Sequence, residues 1–138
     1  MKVHHLPDGA FVVLERGEEV VASLSRLIGE QGLGACTITG IGALRDVEVG
    51  FFEVKNRAYI RQVFPEAELL SMSGNASSLE DGRVAVHLHV VLGLKDFRAV
   101  GGHLFAGTVS VTAEIRVQRV EASLVRREDQ ETGLRLLA

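Results

Sequence analysis

Three histidines are the residues of this chain whose types and spacing could do chemistry: His87 and His89 in "RVAVHLHVVLG", and His103 in "VGGHLFAG". In the first segment Val84, Val86, Leu88, Val90 and Leu92 are uniformly apolar, the pattern of a strand with one face in the core. His87 and His89 then share the opposite face, roughly 6.5–7 Å apart along the strand. Two imidazoles so placed can converge on one ion, because zinc–nitrogen bonds are about 2.0–2.1 Å long. His103 follows Gly101 and Gly102, and backbone without side chains can approach a neighbouring strand closely. Three imidazoles suit zinc and leave a fourth position open, as catalytic rather than closed structural sites do. The competing reading has the three lining a subunit interface and bonding to backbone or water. His4 and His5 lie at the terminus and are expected to be exposed.

Two further residues could serve such an ion. Glu114, in "TAEI", lies on the polar face of its strand and could orient a ligand or act as general base. Asn75, in "SGNAS", could donate a hydrogen bond to a substrate; its plain alternative is a turn residue. No nucleophile–base signature or phosphate loop accompanies them. "GIGALRD" is too short for a dinucleotide fingerprint, and its glycines read as the end of a strand. The single cysteine, Cys36, excludes an intramolecular disulfide and reads as a small packed residue.

The elements that must position these side chains are mostly strands. In "TVSVTAEIRVQR" Val109, Val111, Ala113, Ile115 and Val117 alternate with polar residues, as a half-buried antiparallel strand requires. "AFVVLE", "ACTITGIG", "RDVEVGFFEV", "AYIRQVF", "ELLSMSG", "RVAVHLHVVLG" and "LVRRE" are the other candidates. "KNR", "SGNASSLEDGR" and "LGLKDF" are expected joins. One helix is expected in "EEVVASLSRLIGEQG", where Val20, Val21, Leu24, Leu27 and Ile28 form an apolar stripe and Gly32 or Gly34 ends it. The tail "DQETGLRLLA" reads as a last strand or a frayed end. Residues 1–138 thus make a single α+β domain, a mostly antiparallel sheet with one main helix packed on it.

Composition sets limits on partners. The net charge of −3 gives no global field toward nucleic acid. Arg116, Arg119, Arg126 and Arg127 are interleaved with Glu114, Glu121 and Glu128, which reads as a solvated strand face of mixed charge. No apolar run approaches the roughly 18 residues of a membrane span, and the N-terminus lacks a signal-peptide core, so a cytoplasmic protein is expected. A mean hydropathy of +0.20 is high for so small a chain and points to apolar surface buried between subunits.

"LLSMSGNAS", "VHLHVVLG" and "GGHLFAGTVSVTAEI" together resemble the plant and prokaryote conserved (PPC) domain, the domain of plant AT-hook nuclear-localised proteins and of stand-alone prokaryotic proteins. The resemblance runs from about His5 to Val120. It implies an antiparallel sheet with a helix against it, assembled as a homotrimer. It also implies DNA or a DNA-associated protein as a partner, although no AT-hook is present and "PEAELL" keeps only Glu68 and Leu70 of the plant recruiting segment. Some prokaryotic relatives are metal-containing, and His87, His89 and His103 match the family's histidine motif one by one. A metal-binding cupin is the fold-level rival, but Gly93 and Leu94 stand where its downstream glutamate belongs. Two functions follow: a metal-containing, homotrimeric binding module, or a zinc-dependent hydrolase or lyase acting on a small molecule.

Overall fold

Period-two alternation dominates the chain, and the computed structural model, which describes residues 1–138, converts it into eight strands and one long helix. The strands are β1 (Lys2–Leu6), β2 (Gly9–Glu15), β3 (Cys36–Glu53), β4 (Ala58–Leu79), β5 (Val84–Gly93), β6 (Ala99–Arg119), β7 (Val125–Glu128) and β8 (Arg135–Leu137). They follow the order β1-β2-β6-β3-β4-β7-β8, with β5 bridging β4 and β6. Because β6 also pairs with β3, and β3 with β4, the four strands β3 to β6 close on one another. Every pairing is antiparallel except β4 with β7. The mostly antiparallel α+β expectation therefore holds. No helix is long and apolar enough to cross a membrane.

The helix α1 (Val20–Glu30) occupies the expected segment and buries Val20, Leu24, Leu27 and Ile28 against the core face of the sheet. Each such side chain contributes about 1.5–3 kcal/mol on leaving water. Glu19 caps it, its carboxylate accepting from the backbone N–H groups of Val21 and Ala22 at 3.2 and 2.6 Å. The same carboxylate accepts from Gly107 N–H of β6 at 3.0 Å, so one residue both starts the helix and fastens it to the sheet. Gly32, at φ 57°, ends it, with Leu33 N–H donating to Ile28 O at 3.1 Å.

Several sequence expectations are corrected here. "ACTITGIG" and "RDVEVGFFEV" are one continuous strand, as are "AYIRQVF" and "ELLSMSG". Gly40 and Gly42 do not end β3; a Cβ at Gly42 would lie 2.7 Å from Ala113 Cα, so they let β6 come close. Pro65, which lacks an N–H, is accommodated inside β4 where β3 carries Asp46 at φ 51° and the Cα pairing skips both residues. "SGNASS" is strand, not turn; only Glu80–Gly82 forms the reversal. Val111, expected inside by alternation, is 63% exposed. Between Val109 and Ala113 the strand carries extra residues relative to Leu44 and Gly42 of β3, and this bulge turns Val111 outward.

The expected inward row of β5 holds, with Leu88, Val90 and Leu92 buried. Gly101 and Gly102 act as their types suggest: Val90 O blocks a Cβ on the first, and Gly50 O lies 2.6 Å from a Cβ on the second. Gly102→Ala should therefore destabilise the chain by about 1–3 kcal/mol in urea unfolding. Gly29→Ala, on the exposed side of α1 with its nearest contact at 3.6 Å, should stabilise it by about 0.5–1 kcal/mol. Equal effects of the two substitutions would contradict the close approach of β6 to its neighbours.

Candidate metal centre

Register brings the three histidines together. His89 pairs directly with His103 across β5 and β6, and His103 also pairs with Gly50 of β3, so the strands close at this residue. His87 lies two residues from His89 on the same face, opposite Asn75 of β4. The ring centroids of His87 stand 5.0 Å from each of the other two, and those of His89 and His103 are 5.7 Å apart. One ligating atom from each residue can be chosen so that all lie within 4.8 Å of one another. The face shared by His87 and His89, read from alternation, is the face that carries the cluster.

The surroundings keep two of these imidazoles neutral, His87 and His103. Burial, followed by the charges of His87, His89, Arg61 and Arg126, lowers His103 to a pKa of about 4. Burial, then Arg126 and His89, also lowers His87. Behind His103 stands an aromatic wall: Phe105 at 4.7 Å and Tyr59 at 5.3 Å between centroids. Gly50 makes room for it, since a Cβ there would meet Phe105 at 2.5 Å. The Arg61 guanidinium lies 3.7 Å over the Phe105 ring and pairs with Glu48 at 3.2 Å. His89 is the exposed member, so the cluster is open on that side.

The donor set fits a divalent ion. Neutral imidazole is the ligating form, and His103 Nδ1 is buried without any hydrogen-bond partner, so no group of the chain engages it. His87 Nε2 and His89 Nε2 face each other at 3.2 Å. No carboxylate belongs to the cluster.

The other candidates sit apart or in unexpected roles. Asn75 lies within β4, and its Oδ1 accepts from Arg126 Nη2 at 2.7 Å, so its side chain is engaged inside the protein. Glu114 pairs with Ile41 of β3 and is exposed. It sits on β6 eleven residues beyond His103 and takes no part in the cluster. His4 and His5 are exposed on β1. Cys36 is buried, and burial pushes its thiol up.

Arg126 is the residue that sequence reasoning missed. Expected on a solvated face, it is 7% exposed. Its Nε donates to Ser77 Oγ at 3.0 Å and its Nη1 to Arg135 O at 3.0 Å, and Nη2 stands 3.3 Å from His87 Nδ1. The parallel pairing of β7 with β4 puts it there, opposite Leu79. Its neighbours in sequence, Arg127 and Glu128, are exposed as expected, and nothing local distinguishes Arg126 from them.

Comparison with known proteins places this arrangement in a family. The profile of the Plants and Prokaryotes Conserved domain matches residues 7–121. A plant- and prokaryote-conserved protein of Pyrococcus horikoshii is 30% identical over 93% of this chain and 89% of its own, with a TM-score of 0.86. A protein of Bacteroides thetaiotaomicron, provisionally described as DNA-binding, is 27% identical over 99% of this chain and 96% of its own, with a TM-score of 0.94. The metal-containing protein of Archaeoglobus fulgidus is 30% identical over 100% of this chain and 99% of its own, with a TM-score of 0.85. No curated protein matches significantly. With the profile spanning most of its length and its histidine-bearing hairpin inside the matched region, the chain belongs to the Plants and Prokaryotes Conserved domain family.

Proposed function

We propose that this chain is a metal-binding module of the cytoplasm, assembled as a homotrimer, that holds one divalent ion on His87, His89 and His103. The observation that carries the reading is His103 Nδ1, a buried ring nitrogen without a partner inside a cluster of three imidazoles. A buried polar atom left unpaired costs about 1–3 kcal/mol, which coordination would offset. All-nitrogen donors with one open position favour zinc. The metal-containing relative from Archaeoglobus fulgidus supports the same reading. An ion bound there would supply a Lewis-acid centre open to a small molecule. The chain's own residues disfavour charge on His87 and His103, and Tyr59 and Phe105 exclude water behind His103.

The alternative, a zinc-dependent hydrolase or lyase, needs a proton-transfer group beside the ion. The side chains around the cluster in one chain are aromatic, amide and guanidinium, and Glu114 lies eleven residues beyond His103 along β6, outside the cluster. The binding reading is therefore preferred. DNA enters through the provisional description of relatives. Arg45, Arg83, Arg98 and Arg116 are each paired with an aspartate, so this surface offers little to a phosphate backbone, and contact with DNA would run through another protein.

The trimer rests on exposed apolar side chains. Ile41, Leu70 and Val111 are 55%, 53% and 63% exposed and border one depression on the sheet. Phe11 and Val91 extend the same face. Burying that surface gains about 25 cal/mol per Å².

Elemental analysis of untagged protein, desalted after zinc addition, should give one metal per chain. His87→Ala, His89→Ala and His103→Ala should each weaken binding by orders of magnitude while leaving the far-ultraviolet circular dichroism unchanged. A ratio far below one in the parent protein would make the histidines interface residues. Light scattering at micromolar concentration should give three times the chain mass of 14.9 kDa, and Val111→Glu should lower that mass. A monomer in the parent protein would contradict the assembly.

A further inference from the structure

The match to the family profile stops at residue 121, yet the strand pair β7–β8 that follows sends a buried arginine into the histidine cluster. Arg126 is a cation at 7% exposure with no carboxylate partner; its acceptors are a hydroxyl, an amide oxygen, a backbone carbonyl and an imidazole nitrogen. Taking a lone charge out of water costs several kcal/mol, so a guanidinium serving only to fasten a strand would be an expensive choice over an apolar side chain. Its place beside His87 calls for a further role.

A guanidinium has five donors and no acceptor. The ring atom of His87 that faces Nη2 at 3.3 Å must therefore present a lone pair, which puts the proton of the neutral ring on Nε2. Nε2 in turn faces His89 Nε2 at 3.2 Å, where it can donate, so the orientation set at His87 passes to the next ring. Turned over, the His87 ring would show Arg126 a carbon and lose both contacts. Ser77 and Asn75 of β4 hold the guanidinium in place from one side and the Arg135 carbonyl of β8 from the other.

We infer that Arg126 is a positioning residue for the histidine cluster, and that the β7–β8 pair is part of the site rather than an appendage: it fixes the ring orientation and tautomer of His87. The consequence for metal affinity rests on the metal-binding reading above; the tautomer does not.

The test is long-range nitrogen–proton NMR of the histidine rings in metal-free protein, followed by competitive zinc titration. Parent protein should show His87 with an unprotonated Nδ1 and a protonated Nε2. Arg126→Met, which keeps length and removes both charge and donors, should give His87 mixed tautomers and bind zinc at least about threefold more tightly, because a ring free to carry its proton on Nδ1 turns an Nε2 lone pair toward the ion and no cation stands beside it. Arg126→Lys, which keeps one donor, should restore the parent tautomer. A proton on His87 Nδ1 in the parent protein overturns the inference without any variant, so a poorly folded Arg126→Met does not shield it. Parent-like tautomer and affinity within twofold in Arg126→Met would also overturn it. Zinc that fails to bind the parent protein, with the Nε2 tautomer observed there and lost in Arg126→Met, would remove the metal reading and leave the positioning role standing.

Discussion

The structure depends on β6 pairing at one residue with two different strands. His103 stands opposite Gly50 of β3 and opposite His89 of β5, and at that point four strands close on one another. Such closure leaves little room. Gly102 has no space for a Cβ against Gly50 O, and Gly50 none against Phe105. The glycines are the cost of closure, because each loses more backbone entropy on folding than other residues do. In return the core gains a sealed end in which Leu88, Val90, Leu92 and Leu104 are all buried. The histidine cluster sits at the seam because His89 and His103 are directly paired there across β5 and β6.

That location explains the electrostatics of the site. The seam is half-buried, aromatic on one side and without a carboxylate, so burial disfavours charge on His87 and His103 and pulls the latter down to about 4. Neutral imidazole is the form an ion requires, and burial favours that form at His87 and His103. Arg126 adds a fixed donor where a metal-ligating histidine more commonly finds an acceptor. The cluster is thereby tied to the C-terminal strand pair as well as to the central sheet.

The sequence made local facts legible and long-range ones not. Alternation in β5 gave its inward row and the shared face of His87 and His89, since both follow from a two-residue period. The helix was readable from its stripe, and the paired glycines before His103 announced a close approach. Asn75 was misplaced because Gly, Asn and Ser together resemble a turn; in the sheet Gly74 is required by the nearness of His87 O, and Asn75 is required by Arg126. Val111 followed the alternation in sequence and left it in space, because a bulge depends on the partner strand. Arg126 carried no signal, since burial by parallel pairing with β4 joins segments about fifty residues apart.

The central claim is that three imidazoles from two neighbouring strands bind a single ion. X-ray absorption at the zinc edge of the loaded protein tests it most directly. The account predicts a first shell with three imidazole nitrogens at about 2.0–2.1 Å and one exchangeable oxygen ligand. A shell dominated by oxygen, or one with fewer than two imidazoles, would contradict it.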